Sequence, residues 1–197
     1  MRISRNFKID DWKALDLSVE ENWEYAVDMF KDRLETRYLE HIRYLLPMKT
    51  SGFAVLALDC ALIETMENFK RGTRTTPSGK VKDYFVSFLT SSEFAGHFTA
   101  ERAGIFYRQI RCGLLHQSEA GELSRIKRGG TLPLVSDTAD KKSLILNKIL
   151  FHNLLEEEIR LYYADLRSGA TPDRRLNFRR KMDGICRIQG SVTEGAA

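Results

Sequence analysis

The sequence predicts an all-α protein, an up-and-down bundle of four to five helices with a short β-hairpin inserted before the last core helix. Apolar residues recur at helical spacing over long segments, and one stretch around a Gly-Gly pair breaks that period. No low-complexity or Pro/Gly-rich linker divides the 197 residues, a length that buries one good core. Residues 1–169 read as a single helical domain, and 170–197 as a basic helix followed by a fraying tail.

The first long helix is marked by Trp23, Ala26, Val27, Phe30, Leu34, Tyr38, Ile42 and Leu45, and ends near Pro47. From Phe53 to Met66 nearly every position is apolar, so the second helix is expected to be buried on most sides. It carries Asp59 and Glu64, two carboxylates that need partners there. A linker over 72–80, with Pro77 and Gly79, leads to a short helix holding Val81, Tyr84, Phe85, Phe88 and Leu89. The next helix runs from about Thr99 to Ser118, with Ala103, Phe106, Tyr107, Ile110 and Leu114 as its inner stripe. Segments 124–128 and 131–135 then flank Gly129-Gly130, a two-residue loop suited to a primed hairpin turn. A last core helix is expected over about 141–166.

At 43% hydrophobic and 29% charged, the composition is that of a globular protein, and no apolar run reaches the roughly 18 residues that cross a bilayer. The charged start lacks the apolar core of a secretory signal. Cys60, Cys112 and Cys186 form no CxxC pair, which points away from a disulfide framework or a zinc site and towards a reducing cytoplasm. The net charge of +4 is mild, but its distribution is uneven. Arg174, Arg175, Arg179, Arg180 and Lys181 surround Phe178, either as a solvated helix face or as a contact for RNA phosphates.

The most informative string is Phe106-Tyr107-Arg108-Gln109-Ile110-Arg111-Cys112-Gly113-Leu114-Leu115-His116-Gln117. Arg111 is a permanently charged phosphate binder, and His116 can move protons near neutral pH. On an ideal helix the five-residue step turns His116 about 140° from Arg111, so the two do not stack as i, i+4 neighbours would. Between them a back face of Ile105, Arg108, Cys112 and Leu115 is half apolar and half basic. A second copy of the chain, or another helix, would cover such a face, and Gly104 and Gly113 would permit close approach; a second copy makes a two-fold dimer. Arginines and histidines from both copies would then converge in one groove.

This string, late in a helical domain, resembles the Arg-x4-His signature of the HEPN superfamily, and the resemblance covers most of residues 20–166. The acid in Ala61-Leu62-Ile63-Glu64, followed by Phe69 and Gly72, is similar to prokaryotic members. Cys112 stands where many HEPN nucleases have Asn, Asp or His. The resemblance implies a metal-independent endoribonuclease with no cofactor. Its site would form across a homodimer, with Arg111 and His116 as the catalytic pair. Such proteins act in toxin–antitoxin, abortive-infection or other defence systems, so the implied partners are RNA, a second copy, and an antitoxin or defence-system protein, with no membrane. A non-catalytic HEPN module that binds RNA, nucleotide or a partner protein is the alternative, and a helical bundle in which the motif is coincidental is a third reading.

Around the pair, Glu64 or Asp59 could fix the Arg111 fork or orient His116, or form structural ion pairs instead. Tyr107 could touch RNA or pack in the core, and Cys112 fits as small packing at a dimer face. Gln117 and Arg108 belong to the same string, Arg108 as an RNA contact. His152 and Glu156, four residues apart with no third ligand nearby, read as a surface pair rather than a metal site.

Overall fold

The computed structural model describes residues 2–91, 93–117, 120, 124–129, 131–139 and 141–188, with the His116 and Gln117 side chains outside the described residues. The protein is mainly helical with one small three-stranded sheet. Its chain packs into two units. One comprises Met1–His41, Asn68–Thr75 and Arg160–Ala197, the other Ile42–Glu67 and Thr76–Ile159. No helix among the described residues is long and apolar enough to cross a membrane.

The first unit holds α1 (Ile9–Lys13), α2 (Asn22–Leu34) and a π-helical turn (Glu35–Leu39) that extends α2. It also takes the last residues of α4 (Gly52–Arg71), the end of α8 (Lys148–Ser168) and all of α9 (Pro172–Ile185). Its core is aromatic. Phe30 meets Phe69 at 4.2 Å and Phe178 at 5.4 Å between ring centroids, and Trp12 closes on Phe178 at 5.9 Å. Trp12 also donates its buried indole N–H to Asp183 at 2.8 Å, which satisfies both groups away from water. The basic run around Phe178 is therefore a helix pinned by an apolar anchor.

Gly72, just past α4, has φ of +69°, and a Cβ added there would lie 2.9 Å from Asn177 Cα. Left-handed backbone and a backbone neighbour both exclude a side chain. Gly72→Ala is expected to destabilise the fold by about 2 kcal/mol or more, read as a lowered urea midpoint.

The second unit is built on α3 (Glu40–Leu45) from Ile42, most of α4, α5 (Val81–Ser91) and a 3-10 turn (Glu93–Gly96). The motif helix follows, and it has three parts: α6 (Ala100–Ile105), a π-helical turn (Phe106–Arg111) and α7 (Cys112–Gln117). Thr99 caps it, its hydroxyl accepting from the Arg102 N–H at 3.2 Å. Phe106 stacks on Phe151 of α8 at 5.3 Å, and Phe94 meets the same ring at 4.9 Å, so the motif helix is held against the last core helix by rings.

The expected hairpin is not formed. β1 (Arg125–Lys127) and β2 (Val135–Asp137) do not pair with each other across Gly129; both pair with β3 (Leu144–Asn147), β1 in parallel and β2 antiparallel. β3 occupies residues that the sequence reading placed in the last helix. Leu144 and Leu146 are buried on one side of the strand, a period of two hidden inside a short apolar run. Asn147 then ends the strand and caps α8, its side-chain oxygen accepting from Ile149 N at 3.2 Å and Leu150 N at 3.4 Å. The protein is thus mainly helical, with a three-stranded sheet in place of the two-stranded hairpin, and α8 begins at Lys148.

Candidate functional site

A π turn inserts one residue into a helical turn, so residues five apart come to share a face. In the motif helix this links Tyr107 to Cys112 twice. The Cys112 N–H donates to the Tyr107 carbonyl, and the two side chains hydrogen-bond. Burial first, and then Cys112, hold the Tyr107 phenol above its ordinary pKa. Arg111, four residues on, lies over the Tyr107 ring at 5.8 Å. The turn also rephases the helix, so a single 100° wheel fails across it. Ile105, assigned to the half-basic back face, is buried in the core, whereas Arg108 is exposed, Cys112 half-buried and Leu115 48% exposed.

Arg111 is 15% exposed, and its Nη2 stands 3.4 Å from Glu64 Oε2 on α4. Its Nε is buried without a hydrogen-bond partner among the described residues. A guanidinium with unused donors in a half-buried setting keeps capacity for a further acceptor. His116 and Gln117 occupy the last two positions of α7, and their side chains lie outside the described residues.

Asp59 is not part of this cluster. Its Oδ1 pairs with His152 Nδ1 at 2.8 Å, both side chains fully buried. His152 Nε2 in turn stands 3.3 Å from Glu156 Oε1, and Glu156 accepts from Arg43 at 2.7 Å. The pair His152–Glu156 is therefore not a surface contact: α8 turns His152 into the core, where the acid on α4 meets it. Burial opposes the charge on His152, but Asp59 and Glu156 outweigh it and hold the imidazole up at about 9. Burial also pushes the Asp59 carboxyl upward, against the pull of His152.

The basic residues proposed as RNA contacts separate into occupied and open groups. Arg174 pairs with Asp165 at 2.6 Å. Arg175 binds Glu20 at 2.7 Å, donates to the Leu166 and Arg167 carbonyls, and stacks over Trp23 at 4.4 Å. Lys181 is buried and donates to the Arg74 carbonyl. These three hold the first unit together. Arg108, Arg179 and Arg180 are exposed, Arg179 with a loose contact to Asp183 at 3.8 Å.

One basic group was not anticipated. Lys49, Lys127, Arg128 and Lys148 line a cavity of about 280 Å³ in the second unit, beside Phe53, which is 46% exposed. Lys148 is almost fully buried and donates to the Met48 carbonyl at 2.6 Å and Ser51 Oγ at 2.7 Å. Burial, then Arg128, lowers its pKa. These residues come from three separate segments, so only the adjacent pair Lys127-Arg128 was visible as a local signal.

No family model, curated protein or solved structure matches the chain.

Proposed function

We propose that this chain is a HEPN-type, metal-independent endoribonuclease whose site assembles across a homodimer from Arg111 and His116. The observation that carries the reading is the state of Arg111: half-buried on a π turn, braced by Glu64 and the Tyr107 ring, with its Nε unused. π turns concentrate at functional sites, and a braced fork is oriented for bidentate contact with phosphoryl oxygens.

In the proposed reaction, one His116 takes the proton from a ribose 2′-OH. The oxygen attacks the adjacent phosphorus, and the P–O5′ bond breaks. The partner's His116, protonated, donates to the departing 5′-oxygen. Arg111 from each protomer holds the phosphoryl oxygens as charge builds on them. Products are a 2′,3′-cyclic phosphate and a 5′-OH, and DNA, without the 2′-OH, is spared. The exposed Leu115 and the half-buried Cys112 supply the dimer face, while Phe53 and the lysines around it offer a stacking ring and cations along which a single strand can run. A toxin or defence effector acting in the cytoplasm, with an antitoxin or defence-system partner, is the setting this activity fits.

The Glu64–Arg111 contact also favours a second reading, a non-catalytic module that binds RNA, nucleotide or a partner protein, because a carboxylate already neutralises the arginine. Incubation with single-stranded RNA in EDTA separates the two: cleavage supports the nuclease, and tight binding with intact RNA supports the module.

A further inference from the structure

In the first unit, five arginines line one open cavity of about 500 Å³: Arg2, Arg33, Arg37, Arg74 and Arg187. They arrive from four separate stretches of chain: the N-terminal loop, α2 with its π turn, the loop after α4, and the end of α9. None of the five is paired with a carboxylate among the described residues. Arg33 and Arg37, four residues apart, instead converge on one acceptor, the Ile3 carbonyl, at 2.6 and 2.8 Å. Like charges at that spacing repel, and burial, then Arg37, pushes Arg33 down to about 10.

Arg187 adds an independent sign. It has φ of +55°, the left-handed position just past a helix where glycine is the usual residue. The negative end of α9 would welcome one cation there, but it does not account for five. Repulsion between Arg33 and Arg37, the part-burial of Arg33 without a carboxylate and the strained backbone of Arg187 meet in one concavity whose other arginine side chains are exposed and open to a ligand, which is the arrangement expected where an anion supplies the missing charge.

We infer that this cavity binds a compact anion carrying two or more phosphoryl groups. Its size suits a ligand of up to mononucleotide dimensions, and Ile3, Ile9 and Ile185 complete the lining with apolar surface. Arginine forks match phosphoryl oxygens in pairs, and a polyphosphate brings enough charge to neutralise several of them. The inference stands apart from the proposed ribonuclease, since none of these arginines belongs to the motif helix.

Titration calorimetry at about 150 mM salt with inorganic triphosphate and, separately, ATP tests it. Saturable binding of triphosphate is expected. Arg187→Gly and Arg74→Gln should each weaken it about tenfold, as for loss of a charge-assisted contact. Arg187→Gly suits the local backbone, so its melting temperature should not fall. Lys31→Gln, at an exposed residue of α2 outside the cavity, should bind as the parent does. Equal affinity for both probes places recognition in the phosphoryl chain; tighter ATP adds the nucleoside against the isoleucines; both support the inference. It is overturned if neither probe binds, if equimolar sulfate competes as well as triphosphate, or if both cavity variants bind unchanged. It is equally overturned if only an RNA strand without a 5′-phosphate binds in a manner these variants abolish.

Discussion

His116→Ala is expected to lower RNA cleavage by at least about a hundredfold, the usual contribution of a general acid or base, and more if both protomers' histidines act in one turnover. Fold and oligomeric state should not change. Circular dichroism and light scattering check that. Arg111→Lys makes a companion: it keeps the charge but loses the planar fork, and the rate should still fall by about tenfold or more. A lysine that cleaves as well as the arginine would mean that charge alone matters at position 111.

His152→Ala is the substitution expected to cost the fold most. It leaves Asp59 fully buried with no partner, a loss of about 3–5 kcal/mol for breaking a buried pair from one side. Replacing both residues by leucine should recover most of that, because the uncompensated charge goes with its partner. If His152→Ala loses less than about 1 kcal/mol in urea unfolding, the pair is not the buried ionic contact described above.

The same pair gives the second unit a pH dependence. His152 is raised from an unfolded value of about 6.5 to about 9. The folded state therefore holds a proton that the unfolded state releases between those values. Its contribution is complete below about pH 6.5 and is lost as pH rises through 9, by at most about 3 kcal/mol. Glu156 is lowered, first by the His152 imidazole 3.3 Å away, so its contribution is present above about pH 4.5 and lost on acidification. Asp59, raised by burial, changes in the same sense as His152 and opposes Glu156 on the acid side, so the resolved trend is a decline from about pH 6.5 toward pH 9, which should flatten in the double leucine variant.

Which of these features the sequence makes legible follows from how local each one is. The stripe from Trp23 to Leu45 is periodic over many turns, and the structure is helical across it. Its π turn is invisible to that reading, because one extra residue in a turn shifts phase without changing composition. The same blindness misplaced Ile105 in the motif helix. Leu144-Ile145-Leu146 fits a helix or a strand equally well, and only its pairing with two other segments decides. Asp59 and Glu64 could be recognised as acids needing partners, but His152 lies 93 residues from Asp59 and carries no local mark of its burial. Arg174, Arg175 and Lys181 looked available because their partners, Asp165, Glu20 and the Arg74 carbonyl, are supplied by other segments. The arginine cavity escaped for the complementary reason: its five members come from four separate stretches of chain, with only Arg33 and Arg37 close in sequence.

The most direct measurement is the chemistry of the cut ends when the purified protein is incubated with single-stranded RNA in EDTA. Cleavage to 2′,3′-cyclic phosphate and 5′-OH ends, abolished by His116→Ala and by a 2′-deoxy substitution at the cut site, is the predicted result. Intact RNA, ends bearing a 5′-phosphate and 3′-OH, or undiminished cutting by His116→Ala would contradict the account.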